Sequence, residues 1–332
     1  MSADGLDVKT AARKRPLRRL MLVARVLVPV AAFAYLLSIV PLDETLASLR
    51  SISLQAIVAA FVIGNAGIFT AAVRWRLLFA ACGVKDRPST LRLFRLHLIG
   101  QFYNAFLPGG VGGDVVRAVA TRRALGERGL TGALGVVLLE RTFGAAALLI
   151  LVAVSFSLFP LRQIPNVTLF SAIGLGVATV AVIGIASGPK IARFLPKPLA
   201  KIAASLPAIV SLGPFAAALA LSLVTQSTVI FVGHVLLISL TDGVRLTDSL
   251  VILPLIGASQ YFPLTVGGAG VREAAFVLLY GLVGVAKPVA LATSLAYAGI
   301  LYAISAVGGI LHAIKPLDVE VPASVAAKSD AR

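Results

Sequence analysis

The chain has 332 residues, of which 58% are hydrophobic and only 13% are charged, and it carries a net charge of +16. This composition excludes a soluble domain, and the lack of alternating ten-residue segments excludes a membrane β-barrel. Apolar runs long enough to cross a bilayer recur from Leu20 to Ile314, which predicts an all-α polytopic membrane protein. The expected organisation is a basic cytoplasmic arm over residues 1–19, one transmembrane domain over 20–314 and a cytoplasmic tail over 315–332.

The basic residues are concentrated in segments that flank the apolar runs, namely 1–25, 74–95, 117–128, 190–201 and 315–332. This distribution follows the positive-inside rule for cytoplasmic segments. It explains the net charge without nucleic acid, which we exclude as a partner, and it favours contact with anionic lipid headgroups. The protein is expected in the inner (cytoplasmic) membrane, with both termini in the cytoplasm.

The first two apolar runs are predicted as full spans. Leu20–Val40 is interpreted as a retained span and not as a secretory signal, because Arg25 interrupts it. Leu54–Val73 is the second span and ends at Arg74-Trp75-Arg76, where an indole between guanidiniums suits the cytoplasmic headgroup level. A basic loop is expected from Cys82 to Arg95.

The next apolar segment is broken in the middle. Leu96–Leu107 is too short to cross, Pro108 and the following glycines interrupt it, and Val115–Ala124 resumes a helix. Both flanks are basic, so both ends are assigned to the cytoplasm. The pattern predicts a re-entrant hairpin of two half-helices, with irregular backbone that protein or a water-filled cavity must cover.

The second half of the chain repeats this organisation. Further full spans are predicted at Leu130–Phe159, Val167–Ser187, Pro214–Leu240 and Pro288–Ile314. Ser249–Phe262 and Val271–Val283 form a second broken pair around Pro263–Gly268. The prediction is therefore six full transmembrane helices and two re-entrant hairpins. Three full spans separate the hairpins, which places them on opposite membrane faces, as in an inverted-topology repeat.

A sequence repeat supports two related halves. Pro108-x-x-Val111-Gly112-Gly113-x-x-Val116-Arg117 recurs as Pro263-x-x-Val266-Gly267-Gly268-x-x-Val271-Arg272, at a constant offset of 155 residues. A fixed-offset repeat of this kind in a membrane protein is typical of duplicated halves whose broken helices meet near the midplane.

The broken helices carry candidate binding groups. A helix opened by Gly112-Gly113 presents unpaired N–H groups that favour an anion, and Arg117 lies one turn further on. Alternatively, Asp114 caps the helix and the glycines only permit a tight turn. The candidate substrate-binding residues are Asn104, Pro108, Gly112, Gly113, Asp114, Arg117, Glu140, Arg141, Gly267, Gly268, Gly270, Arg272 and Glu273.

Two adjacent charges lie inside a predicted span. Glu140 is nine residues beyond Thr131, about 14 Å along the helix axis, where a charge costs roughly 2.5–3.5 kcal/mol. Neighbours on a helix point about 100° apart, so Glu140 and Arg141 need partners elsewhere. Arg272-Glu273 offers the complementary pair, and Arg117 and Asp114 offer more. The charges form either a closed ion-pair network or a substrate path, and both can hold together.

The other polar groups are less informative. Asn104, Gln101 and Gln260 either bind headgroup hydroxyls or satisfy backbone groups freed at the prolines. His234 is interpreted as a hydrogen-bonded packing residue, and the lone Cys82 permits no intramolecular disulfide. The sequence contains no nucleophile–base pair, metal site or nucleotide-binding phosphate loop, so neither an enzyme nor a cofactor is predicted.

The combined motifs resemble one known family. Asn104-x-x-x-Pro108-Gly109-x-x-Gly112-Gly113-Asp114-x-x-Arg117, Glu140-Arg141, Pro263-x-x-x-Gly267-Gly268-x-Gly270-x-Arg272-Glu273 and Gly308-Gly309 are similar to motifs of the lysylphosphatidylglycerol synthase transmembrane, or flippase-like domain, family. The resemblance spans roughly Leu20 to Ile314 and implies a lipid-handling membrane domain. Larger relatives fuse it to a cytosolic aminoacyl-tRNA-dependent transferase, and this chain is expected to be a stand-alone member without one.

The expected function is translocation of a lipid or lipid-linked molecule of glycolipid, phospholipid or hopanoid type. The headgroup would be held at the Gly-Gly/Arg sites near the midplane. One alternative is a secondary transporter of a small anionic solute. Another is a non-transporting membrane subunit that positions lipid for a separate lipid-modifying enzyme, which would then be its partner.

Overall fold

A computed structural model describes residues 31, 33–36, 38–106, 112–159, 167–197, 200, 203–204, 206–259 and 270–317. Over these residues the regular secondary structure is entirely helical, which confirms the all-α prediction. Most of the two predicted glycine turns and most of the predicted first span lie outside the described residues.

The helices alternate with connections of different lengths. In chain order they are α1 (Leu42–Ser51), α2 (Leu54–Ala81), α3 (Thr90–Phe106), α4 (Gly112–Thr121), α5 (Gly129–Leu158), α6 (Val167–Ala186), α7 (Gly188–Ile191), α8 (Leu212–Ile238), α9 (Leu246–Ser259), α10 (Val271–Gly281) and α11 (Lys287–Ile314). One 3₁₀ segment, Arg122–Arg128, joins α4 to α5, and a second, Ala192–Phe194, follows α7.

Four helical stretches of the described chain are long and apolar enough to cross a membrane, namely Leu54–Ala81, Gly112–Leu158, Leu212–Ile238 and Lys287–Ile314. Large apolar side chains such as Leu54, Val180 and Leu212 are more than 70% exposed, whereas Arg74 and Glu140 are buried. Apolar outside and charged inside is the distribution that a bilayer favours. The chain is therefore a multi-pass helical membrane protein.

Local sequence explains several helix ends. The Ser53 hydroxyl accepts a hydrogen bond from Ala56 N–H at 3.2 Å and caps α2. In α1, Asp43 and Glu44 lie in the first turn and Arg50 in the last, which complements the helix dipole. Pro288 lies in the first turn of α11, where its missing N–H costs no hydrogen bond.

Close backbone contacts fix how the helices pack around the site. The largest contact joins α2 to α8, and α3 packs on both α4 and α11. At Gly113 an added Cβ would overlap the Gly100 carbonyl, and at Gly308 it would overlap the Leu98 carbonyl. Side chains at Gly113 and Gly308 would therefore push α4 and α11 away from α3.

Two predicted boundaries are wrong. The second span does not end at Val73, because α2 continues to Ala81 with Arg74 and Trp75 buried inside the protein and only Arg76 exposed at that point. The expected loop from Cys82 to Arg95 ends early, since α3 begins at Thr90. The α2 helix continues past Val73 because Arg74 forms a buried ion pair with Glu140.

Candidate functional site

Four helices bring the charged candidates together. Arg74 comes from α2, His97 from α3, Asp114 and Arg117 from α4, and Glu140 and Arg141 from α5. The α4 helix contacts both α3 and α5, and its second glycine, Gly113, lets it lie directly on α3. Residues far apart in sequence therefore share one buried region.

Glu140 holds two arginines, one on each carboxylate oxygen. Arg74 Nη2 donates to Oε1 at 2.8 Å, and Arg117 Nη1 donates to Oε2 at 2.9 Å. Arg74 Nη1 also donates to the Ser222 hydroxyl at 3.3 Å. Glu140 is 5% exposed, so its charge depends on these partners and not on water.

Arg117 lies at the centre of the network. Its Nη2 donates to Asp114 Oδ1 at 2.7 Å, while its Nη1 lies 3.0 Å from His97 Nδ1. The guanidinium is 5.0 Å from the centre of the Trp75 ring, and that ring meets the His97 ring edge-on at 5.1 Å. Arg117 therefore combines ion pairs with a cation–π contact.

Arg141 completes a chain of alternating charges. It donates through Nε and Nη2 to Asp114 Oδ2, each at 2.7 Å. The order is Arg74, Glu140, Arg117, Asp114, Arg141, which we call the charge chain. The Arg141 side chain is 46% exposed, whereas the other four side chains are at most 11% exposed. The chain thus begins in the interior and ends at an accessible guanidinium.

A second ion pair opens α10. Arg272 donates to Glu273 Oε1 through Nη2 at 2.5 Å and Nε at 3.0 Å. Glu273 Oε2 accepts from Gly270 N–H at 2.6 Å, and Gly270 has the positive φ of 82° that favours glycine. The prediction that Arg272-Glu273 supplies partners for Glu140 and Arg141 is therefore wrong. These two adjacent side chains satisfy each other and the helix start locally.

Hydrogen bonds at α4 bear on the predicted alternatives. Asn104 Oδ1 accepts from Gly113 N–H at 2.8 Å, so this side chain serves the backbone at the start of α4. The two carboxylate oxygens of Asp114 bind Arg117 and Arg141. The candidates Pro108, Gly267 and Gly268 lie outside the described residues, and so does Gln260. Gly112 is the first residue of α4.

A cavity of about 430 Å³ adjoins the charge chain. Four guanidiniums line it, those of Arg74, Arg117, Arg141 and Arg272, together with the Glu140 carboxylate. The remaining polar lining comes largely from α3, α8 and α11, and includes His97, Gln101, Asn104, Thr225, Gln226, Thr228, Tyr297, Tyr302 and Ser305. A polar cavity of this size among membrane-crossing helices can hold a small headgroup.

Sequence reasoning missed three members of this site. Arg74 and Trp75 were assigned to the membrane surface, and His97 received no role. The available signal is an arginine seven residues before the last residue of α2, but a hydropathy average counts its charge as unfavourable whatever partner it has. That partner, Glu140, lies 66 positions further along the chain.

Other predicted features can be placed as well. His234 Nδ1 lies 2.9 Å from the Ser249 hydroxyl, and Ser249 lies 3.0 Å from the Tyr280 hydroxyl. This confirms a hydrogen-bonded packing role for His234. In the part of the chain that the structure describes, no three His, Cys, Asp or Glu side chains come together as a metal site.

The fold and the cavity place the chain among multi-pass helical membrane proteins that have a charged interior site. The family model of the lysylphosphatidylglycerol synthase transmembrane region matches residues 22–309. This is most of the sequence, so the chain belongs to that family, as its motifs suggested. No curated protein matches the chain.

Proposed function

We propose that this protein moves a lipid or lipid-linked molecule between leaflets, holding an anionic headgroup in the cavity while the acyl or prenyl chains stay in the bilayer. The observation that carries the proposal is the set of guanidiniums at the cavity wall. Four arginines and Glu140 line the cavity, and Asp114 and Glu273 pair with these arginines from beside it. Four guanidiniums therefore face three carboxylates. One net positive charge remains, and in a low-dielectric site it favours an anion.

The rim of the cavity supports a lipid over a soluble molecule. Gln101 and Tyr302 line the cavity and are exposed, so the cavity reaches the surface of the helix bundle there. Phe106 is 60% exposed, and its ring lies 6.3 Å from that of Tyr302. An apolar aromatic rim beside a cationic interior suits a molecule that has both a charged head and hydrocarbon chains.

The proposal includes the finer architecture expected from the sequence: six full spans, two re-entrant hairpins related as an inverted repeat, and both termini in the cytoplasm of an inner-membrane protein. The charge distribution and the 155-residue repeat between Pro108 and Pro263 support it. The lengths of α4 and α10, 10 and 11 residues, support it too, since a spanning helix needs about 20. No catalytic step is part of the proposal.

Leaflet exchange in proteoliposomes tests the proposal. The purified chain is reconstituted with a trace of fluorescent phosphatidylglycerol, and dithionite reports the probe that reaches the outer leaflet. We expect Arg117→Lys and Arg272→Lys each to slow exchange at least about tenfold, roughly 1.4 kcal/mol, because an ammonium cannot reproduce a planar donor fork. Arg245→Lys is the matched control, since its side chain is 79% exposed and pairs only locally with Asp248.

The alternatives give different results. Uptake of a soluble anion without lipid exchange would indicate a secondary transporter. No exchange and no uptake, together with co-purification of a lipid-modifying enzyme, would indicate a positioning subunit. Normal exchange by both lysine variants would remove the arginines from the transport path and leave them as structural residues.

A further inference from the structure

Every carboxylate oxygen beside the cavity already has a partner. The two oxygens of Glu140 accept from Arg74 and Arg117, those of Asp114 from Arg117 and Arg141, and those of Glu273 from Arg272 and Gly270 N–H. A cationic group entering the cavity would meet four guanidiniums and no uncommitted carboxylate among the described residues. The cavity is therefore unfavourable for an ammonium.

The donors, in contrast, are not all engaged. Arg74 Nε is buried and has no hydrogen-bond partner within the described chain, although Arg74 lines the cavity. Burying a guanidinium N–H without a partner is costly, and native proteins rarely do so without a reason. Arg141 is half-exposed at the other end of the charge chain. The accessible capacity for an acceptor such as a phosphate oxygen therefore lies at Arg141, whereas an acceptor reaches Arg74 Nε only when neighbouring atoms move.

The cavity wall formed by α8 and α11 offers hydrogen-bond acceptors, whereas the arginines offer donors. The hydroxyls of Thr225, Thr228 and Ser305 donate to backbone carbonyls of their own helices at 2.8, 2.7 and 2.8 Å. Gln226 Nε2 donates to the Gly144 carbonyl at 2.8 Å. With their protons committed, the three hydroxyl oxygens and Gln226 Oε1 remain as acceptors at the cavity. A ligand must bring its own donors to satisfy them.

We infer that the cavity takes a phosphate ester that carries free hydroxyl groups, such as a phosphoglycerol or phosphosugar headgroup, and that it discriminates against aminoacylated, cationic headgroups. The phosphate lies toward the arginines and the hydroxyls toward the acceptor wall. This inference rests on the proposed function for its lipid source. The headgroup chemistry itself is independent of that source, since a soluble glycerol phosphate has the same groups.

The protein contains a built-in reporter for this site. Trp75 is the only tryptophan in the sequence, is fully buried, and lies against both Arg117 and His97. Ligand binding that moves Arg117 changes the surroundings of this indole. The emission of Trp75 can therefore be titrated with phosphatidylglycerol, lysyl-phosphatidylglycerol, phosphatidylmethanol and soluble glycerol 1-phosphate, using the purified full chain in detergent with lipid probes at matched micellar fractions.

We expect a saturable change with phosphatidylglycerol. Phosphatidylmethanol, an anion without hydroxyls, should bind about three- to tenfold more weakly, and lysyl-phosphatidylglycerol at least about tenfold more weakly. Thr225→Val and Thr228→Val should remove the preference for phosphatidylglycerol over phosphatidylmethanol while both anions still bind. Ser227→Ala is the control on the same helix, because Ser227 does not line the cavity and donates to the Leu223 carbonyl.

The outcomes separate this inference from the proposed function. Equal responses to the three lipids, or tighter binding of the lysyl lipid, would overturn the inference even if leaflet exchange proceeds. The expected headgroup order without leaflet exchange would support the inference and overturn the translocator. Soluble glycerol 1-phosphate that binds as tightly as the lipid would support the headgroup chemistry and assign a soluble source. No Trp75 response to any probe, with exchange rates independent of headgroup, would overturn the inference.

Discussion

The carboxylate of Glu140 offers the sharpest test of the charge chain, because it is the only described acidic group that pairs with Arg74. In Glu140→Gln the side chain keeps its shape and one acceptor oxygen, but the negative charge is lost. Arg117 still has the Asp114 carboxylate, whereas Arg74 is left with neutral acceptors alone, the amide oxygen and the Ser222 hydroxyl at 3.3 Å. Stranding one buried charge of a pair costs about 3–5 kcal/mol.

The assay is thermal unfolding of the purified protein in detergent. The expected loss corresponds to a fall of roughly 10 °C in the apparent midpoint, since 1 kcal/mol shifts a protein of this size by roughly 2–4 °C. Thr142→Val is the matched control on the same helix, because its exposed hydroxyl only donates to the Leu138 carbonyl. Adding Arg74→Met to Glu140→Gln should restore part of the loss by removing the stranded cation.

An unchanged midpoint for Glu140→Gln would refute the reasoning, because it would mean that water already screens the carboxylate. A double variant that is less stable than the wild-type protein by the sum of the two single-variant effects would also contradict it. In that case Arg74 and Glu140 act independently and the 2.8 Å contact between them carries no coupling energy.

Two further predictions concern packing and topology. Gly113→Ala should destabilise the protein by about 1–3 kcal/mol or more, because the new methyl group meets the carbonyl of Gly100. Gly176→Ala is the control and should be neutral or stabilising, since nothing lies within 4 Å of the added methyl group. Equal unfolding midpoints for the two variants would contradict the close contact. Cysteine at Arg245 should react with an impermeant maleimide from outside and cysteine at Arg87 should not, and the reverse labelling would invert the proposed topology. Burial raises the pKa of the Cys82 thiol to about 12, so the native thiol should stay unlabelled at neutral pH.

Helices that consist of long apolar runs are predictable from the sequence. The expected spans Leu130–Phe159 and Pro288–Ile314 differ from α5 and α11 by a single residue at their ends. The prediction of the second span fails at its carboxyl end because two arginines follow Val73 within three positions, and a hydropathy pattern treats them as an interface. The helix continues because Arg74 finds Glu140 inside the protein.

The sequence predicts which charged residues belong to the site but not which carboxylate pairs with which guanidinium. Asp114, Arg117, Glu140 and Arg141 were all expected to be important, because charges inside apolar segments demand partners. Which carboxylate meets which guanidinium depends on helix rotation and tilt, and no pattern within one helix encodes those angles. Arg272 shows the difficulty, since its partner is the adjacent Glu273, held by the turn at Gly270.

The structural and the ligand-binding interpretations of the buried charges are compatible, because different atoms of the same arginines serve them. A closed network with equal charges would have to break an ion pair before it could admit an anion, at a cost of several kcal/mol. The charge chain instead begins and ends with arginine. Within the described residues Arg74 Nε has no hydrogen-bond partner, and the Arg141 guanidinium is half-exposed. An anion can therefore add at the Arg141 end while Glu140 and Asp114 keep their partners. This is why a carboxylate substitution should act first on stability, whereas a lysine substitution that preserves charge should act first on transport.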